Sequence, residues 1–491
     1  MLQCNKEYLE NEKNISTLVE NAKKILKKRK KMYRRYDRKG ISGNIKVPME
    51  YYISNIAIGF FGGKAPKYSV KEEINEKKQK IVKTLLNKVS GKDTDNKELQ
   101  LLIDYIRDYN DDGSFFYELA KDYLITNACY GIVYENTDNE IVYARVPSTQ
   151  SVAIYDYSTP VNKIGLIRIW EETDKDGFKC DMVELILDGE KRYYKNSKKA
   201  PKEYIENKDE RDENKWSMLP VIAIENPDEL AIFEPVISLI DAFERIIENN
   251  KNTFEYNDNA KLKVTGYQPN EPLLIDDESG DTIENPARKR EDEAFLKAKV
   301  FYTPDNTGDI DWIIKNINDT ASENHKKTLI ELILMITCVP NVTDVGFTNA
   351  DNASALEKKF FPLEQVLIQA DKQFKKELLY LWELIIDRVN TEKKKKFDFR
   401  NIQIELQRNM PSDKNEIVNM ALQLRSLLSD ESVISMLPFD LDVENEIAKM
   451  KKQNQENLND NYETLKNIGS KDTIDNKNIE EKENEEENLE E

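Results

Sequence analysis

Residues 229–259 read ELAIFEPVISLIDAFERIIENNKNTFEYNDN, and the fold turns on what this stretch packs against. Pro235 suits a first helical turn, and Phe233, Val236, Ile240, Phe243 and Ile247 follow at helical spacing. That stripe lapses at Asn250 and returns only at Phe254, while a second stripe of Ile232, Leu239 and Ile246 gives out at Thr253. From Pro235 to Asn257 the spacing predicts a rod of roughly 35 Å, whose far half has too little apolar surface to hold a core of its own. The i,i+4 pairs Asp241–Arg245 and Lys251–Glu255 contribute only about 0.3–0.5 kcal/mol each when exposed. Packing against copies of itself supplies what the rod lacks.

Downstream, AKLKVTGY, an acidic irregular region from Asp276 to Glu293, and then FLKAKVFYT and DIDWIIKNI predict a small β module. A second helix opens at the capping box TASE, Thr320 to Glu323, and runs through LIELILMITCV until Pro340 stops it. Two helices thus bracket one insertion. The turn-rich PNVTDVGFTNADNAS that follows predicts an exposed loop tip around Val345, Gly346 and Phe347. A long helix then carries Leu356, Phe360, Leu363, Leu367, Ala370, Phe374, Leu378, Leu381 and Ile385 on one face, with Pro362 predicting a kink. NIQIELQRN reads as a strand, and Ile417 to Gln455 as three short helices.

Upstream, Ile15, Leu18, Val19, Ala22 and Leu26 predict a helix that continues into KKILKKRKKMYRRYDRKG, where eleven cations face one aspartate between Lys23 and Gly40. Such a run is a solvated face, or it meets DNA or an acidic neighbour. GFFGGKA is one residue too short for a phosphate loop, and Ala65 replaces the hydroxyl that would hold magnesium. Asp111, Asp112 and Gly113 lack calcium-loop spacing and read as a helix cap. Tyr117 to Tyr130 looks helical. A hairpin turning at Thr137 to Asn139 follows, then IGLIRIWEET, FKCDMVELIL and KRYYK as an antiparallel meander, and the strand-like LPVIAIEN.

Composition narrows the function. A charged fraction of 34% exceeds the roughly 25% usual in globular chains, so much of the surface is strongly solvated. Cys4, Cys129, Cys180 and Cys338 show no CxxC spacing, and His325 is the single histidine, which leaves little for zinc or a catalytic triad; no cofactor is expected. No stretch approaches the ~20 apolar residues of a membrane span, and MLQCNKEYLENEKN lacks a secretion signal's order, so the expected setting is the cytoplasm, with no membrane. A net charge of −19 opposes a protein that grips nucleic acid as its main task, but not one past which nucleic acid slides.

In one consistent order, GFFGGKAPKYS, VPSTQSVAIYD, LPVIAIENPDELAIFEPVISLIDAFE, NTFEYNDNAKLKVTG, NDTASENHKKTL and SLLSDESVISMLPFDLDVENEIAKM make the chain resemble the portal proteins of tailed double-stranded-DNA bacteriophages. That resemblance implies an α+β fold of portal type, with wing, helical stem, small β-containing clip, long kinked helix and helical crown. It implies a basic helical segment at 1–45, the wing at 46–231, stem helices at 232–257 and 319–340, the clip at 258–318 and a tunnel loop at 341–353. The long kinked helix and a wing strand fill 354–410, the crown 411–460, and an acidic disordered tail 461–491.

It further implies a ring, commonly of twelve subunits, at one capsid vertex of the virion. Double-stranded DNA passes through it, a terminase large subunit docks outside, and head-tail adaptor, major capsid and scaffolding proteins are neighbours. Val345, Gly346, Phe347, Thr348 and Asn349 would then face the DNA, and Asp241, Glu244, Arg245, Glu248, Lys251, Glu255, Lys326 and Lys327 would meet neighbouring subunits. The ring has no chemistry of its own. Two other classes compete: a helical-assembly adaptor or scaffold that does not conduct DNA, and a metal-dependent nuclease using Asp309 and Asp311.

Overall fold

The computed structural model describes residues 2–37, 45–71, 92–173, 177–196, 203–208, 212–213, 216–258, 261–265, 270–276, 281–297, 309–313, 319–342, 353–410, 414–437 and 446–454. The chain divides into two compact units, Met1–Asp344 with Lys359–Asn409, and Val345–Lys358 with Met410–Glu491.

The first unit is built around a sheet in the order β1 (Leu2–Gln3), β5 (Ser151–Tyr155), β6 (Lys163–Thr173), β7 (Lys179–Leu187), β8 (Glu190–Asn196) and β10 (Asp212–Glu213), with β9 (Tyr204–Glu206) also paired to β8. Strands β5 to β8 are the expected antiparallel meander, in a register that sets Ile167 opposite Leu185 and Val183 opposite Tyr194. Side chains alternate across it. Val152, Ile154, Ile167, Ile169, Val183 and Leu185 join one buried cluster, whereas Ala153, Leu166 and Ile186 join another.

Helix α1 (Lys6–Glu10) leads into α2 (Glu12–Asp37), which covers the first face. Ile15, Leu18, Val19, Ala22 and Leu26, which predicted a helix here, are buried in that cluster. The second face is covered by a sheet of β11 (Val221–Glu225), β3 (Ala128–Glu135) and β4 (Ile141–Val146).

Helices α3 (Met49–Gly62), α4 (Lys92–Asn110) and α5 (Asp112–Thr126) complete the body. Asp111 caps α5 by accepting from Ser114 N. The helix expected to run to Tyr130 stops earlier, because Asn127 takes the left-handed conformation at φ 68° and donates its N–H to Tyr123 O; Ala128 to Tyr130 begin β3 instead. Gly62 of GFFGGKA has a packing role: a Cβ there would sit 2.8 Å from Ala120 Cβ where α3 meets α5. The long helix α9 (Ala353–Lys393) buries Leu363, Leu367, Ala370, Phe374, Leu378, Leu381 and Ile385, with Pro362 inside it. Phe61, Phe116 and Tyr123 meet the Phe374 ring edge-on at 5.1–5.6 Å. Strand β16 (Ile402–Glu405) pairs with β2 (Lys67–Val70).

Helices α6 (Ile237–Asp258) and α8 (Asp319–Thr337) flank the inserted segment. There β12 (Lys261–Thr265) pairs with β15 (Asp309–Ile313), and β13 (Leu274–Asp276) with β14 (Thr282–Glu284). Between them lies an unexpected helix, α7 (Pro286–Lys297), where irregular chain and the start of a strand were anticipated. Pro286 opens it, Asn285 Oδ1 accepts from Ala287 N at 2.9 Å, and the pairs Arg288–Asp292 and Glu293–Lys297 line its surface. The polarity that suggested irregular chain is the polarity of an exposed helix.

The second unit carries α10 (Lys414–Leu424), α11 (Asp430–Ser435) and a helix over 446–454, in keeping with the three short helices expected. Ser429 caps α11 at Ser432 N. Residues 345–349 and 455–491 lie outside the described residues.

Candidate functional site

The features that ask for a partner gather on α6 and α8. A 3-10 turn at Glu234–Val236 leads into α6, and Phe233, Val236, Ile240 and Phe243 are buried. Beyond Glu244 no residue of α6 is buried, and Phe254 is 54% exposed. Along α8 the polarity runs the other way. Its first turns are exposed, and Leu329, Ile333, Leu334 and Thr337 are buried. On the opposite side Met335 is 65% exposed, and at the edge of the buried face Ile336 is 45% exposed. The two helices are cross-linked by Asn250 Nδ2 of the far half of α6, which donates to Ser322 Oγ in the first turn of α8 at 3.0 Å.

The near end of α6 is locked by charge. Glu244 is buried and accepts from Lys46 Nζ at 2.9 Å and Val47 N at 3.1 Å. Arg35 reaches both Glu50 and Asp241 at 2.7 Å. Burial alone would lower the Arg35 pKa, but Asp241 and Glu50 outweigh it and hold the guanidinium above its ordinary value.

Two residues expected to face neighbouring subunits are therefore engaged within their own chain. Asp241 pairs with Arg35 rather than Arg245, and Glu244 is sealed under Lys46 and Val47. No sequence spacing linked Arg35, Lys46 and Glu50 to α6; the fold brings them there from up to 206 residues away. The others lie further out. Arg245 is exposed and Glu248 half-buried, Lys251 and Glu255 form the expected pair at 3.4 Å, Lys326 pairs with Glu323, and Lys327 is exposed.

The root of the segment holding Val345, Gly346, Phe347, Thr348 and Asn349 is held by one side chain that sequence reasoning missed. Tyr52 donates its hydroxyl to Pro340 O at 2.9 Å and accepts from Val342 N at 3.1 Å.

Asp309 and Asp311 lie in β15 opposite Thr265 and Lys263. Asp311 is exposed, and its Oδ1 accepts from Trp312 N. Among the described residues no group of three or more His, Cys, Asp or Glu side chains is placed to hold a metal. His325 is exposed; Cys4, Cys129 and Cys180 are buried free thiols and Cys338 is partly exposed. Among the described residues no helix is long and apolar enough to cross a membrane.

A family model described as "Phage portal protein, SPP1 Gp6-like" matches residues 1–460. The chain belongs to this phage portal family. Portal proteins are structural components of the virion rather than enzymes, in keeping with a site made of helix faces and a loop root. No curated protein matches the chain. Among solved structures it is similar to a chain described as "Neck of empty GTA particle computed with C6 symmetry", at 12% identity and a TM-score of 0.35, covering 82% of this chain and 92% of that one.

Proposed function

We propose that this portal-family chain closes into a ring at one capsid vertex and forms the channel through which DNA enters during packaging and leaves during ejection. The observation that carries the proposal is the half-anchored α6 beside α8: one end is buried in the body, the other leaves Phe254 54% exposed, and Met335 and Ile336 stay 65% and 45% exposed on the anchored part of α8. A helix pair of this kind gains its missing contacts from identical neighbours.

In this reading α6 and α8 are the stem, residues 258–318 the clip, 411–460 the crown, and the body of the first unit the wing. Arg245, Glu248, Lys251, Glu255, Lys326 and Lys327 meet adjacent subunits. Val345 to Asn349 form a tunnel loop at the DNA, with Tyr52 fixing where that loop leaves the body. A terminase large subunit docks outside, and a head-tail adaptor later seals the clip end.

The acidic balance suits a conduit. Every phosphate held by a cation costs mobility, whereas like charge leaves the duplex free to slide. Negative-stain microscopy of the purified full chain tests the proposal. Closed rings with an open central channel are expected; helical assemblies or a persistent monomer would overturn it.

A further inference from the structure

The stem and loop leave the basic run of α2 without a role. The buried face of α2 takes Ala22, Leu26, Arg29, Met32 and Tyr36, and Lys23, Lys24, Lys27, Lys28, Lys30, Lys31 and Arg34 are exposed. A groove of about 790 Å³ runs beside these cations, with Ile169 and Trp170 of β6 on its other side.

Some of the charge is already answered. Lys23 pairs with Asp181, Lys28 with Glu234 and Arg35 with Glu50 and Asp241, and Glu171, at the groove edge, pairs with Lys179. Lys24, Lys27, Lys30, Lys31 and Arg34 have no carboxylate partner among the described residues. At 100° per residue these five fall within an arc of about 120°, and they extend along about 15 Å of helix.

Such a block is unfavourable to the helix that bears it, because like charges three and four residues apart repel by a few tenths of a kcal/mol per pair. The chain holds 92 carboxylates against 73 cations, yet among the described residues the two carboxylates that line the groove, Asp181 and Glu171, pair with Lys23 and Lys179 rather than with these five. Solubility alone would be served by mixed signs. A polyanion supplies the missing countercharge, and two kinds differ in what else they need. An acidic protein partner needs apolar or aromatic anchors at the centre of the contact, where lysine is depleted. Here the exposed positions of the stripe are all cations, and across the groove Ile169 is buried and the Trp170 ring is engaged by the Arg168 guanidinium at 4.7 Å. The phosphate backbone of DNA needs none, since it presents a charge about every 1.7 Å of axis and is held by point charges.

We propose that the exposed face of α2 is a sequence-independent contact for the phosphate backbone of duplex DNA, separate from the tunnel loop. Lys27, Lys30, Lys31 and Arg34 carry most of it, and Lys24 extends it toward the N-terminus of the helix. Arg29, bonded inward to Tyr130 Oη, Ser151 O and Glu225 at 2.7–3.1 Å, sets which way the stripe faces.

The test is anisotropy titration of a fluorescent 30-base-pair duplex with the full chain across a series of KCl concentrations. The K27Q/K30Q/K31Q/R34Q variant is compared with K67Q/K195Q/K372Q/K393Q, which removes equal charge from exposed sites elsewhere. Loss of four phosphate contacts lowers the slope of log K against log salt by about 3–4, and affinity at 50 mM KCl falls more than tenfold. The control variant is expected within about threefold of the parent. Circular dichroism melts of both variants establish that each is folded.

Equal slopes and affinities for parent and α2 variant would overturn the proposal, as would no duplex binding by the parent. So would tighter α2-dependent binding of a polyglutamate peptide than of the duplex, which would reassign the face to an acidic partner. Ring formation is read separately by microscopy. Rings without α2-dependent binding would sink this inference and leave the portal reading standing, whereas binding without rings would do the reverse.

Discussion

Replacing Met335 and Ile336 of α8 together by glutamine separates the stability of the subunit from its assembly. Fully burying a side chain of this size gains about 1.5–3 kcal/mol. The exposed fractions, 65% for Met335 and 45% for Ile336, are what a neighbour can still cover. Scaling each by its exposure gives about 2–3 kcal/mol per interface, or roughly 30- to 150-fold in the association constant. It is an upper figure, since ordering the side chains offsets part of it. Glutamine is at least as good a helix former as isoleucine and close to methionine, so the loss in the isolated subunit is confined to the parts of the two side chains already covered, about 1–2 kcal/mol with glutamine's methylenes retained. Sedimentation velocity over a concentration series reads the first quantity and urea unfolding of the dissociated subunit the second. Assembly at unchanged concentrations would refute the assignment of this face to a neighbour, and a large loss of subunit stability would show that the side chains serve their own chain.

Glu225→Gln leaves the Arg29 guanidinium buried without its ion partner, and breaking such a pair costs about 3–5 kcal/mol; a lower urea midpoint at unchanged slope is expected. Tyr52→Phe removes the hydroxyl that holds Pro340 O and Val342 N, which at about 1–1.5 kcal/mol speeds amide exchange at Val342 roughly tenfold with little effect on global unfolding. The Asp156 carboxyl is drawn down to about 2 by the Ser158 hydroxyl and the Asn162 N–H. Because the folded value lies below the unfolded one, the stability it contributes is present above about pH 4 and is lost as pH falls toward 2. The difference in melting temperature between parent and Asp156→Asn should be constant near neutrality and shrink over that acid window.

What was legible in the sequence was whatever periodicity controls. The meander strands, the α2 stripe from Ile15 to Leu26 and the α9 stripe from Leu363 to Ile385 were readable because burial selects residues at period 2 or 3.6. The lapse of the α6 stripe was readable for the same reason, and the structure places its last buried apolar residue at Phe243. Helix α7 was missed because it has little apolar face to display; its sign was the Asn285–Pro286 start. The partners of Asp241 and Glu244 within their own chain were not legible, because nothing in the spacing of α6 points to Arg35 and Lys46 until the fold delivers them. Tyr52 gave no local hint, since its partners are nearly three hundred residues downstream.

Arg29 makes α2 a rotationally indexed part. Its guanidinium admits one azimuth of the helix, and one residue of slip turns the shaft by about 100°, driving an ammonium group toward the hydrocarbon of Val152 and Ile167. Charges on the outer rim can therefore be exchanged without disturbing this alignment, whatever that does to a bound polyanion, but the number of residues between Ile15 and Arg29 cannot: an insertion or deletion there would misalign the whole cylinder against the sheet, however conservative its composition.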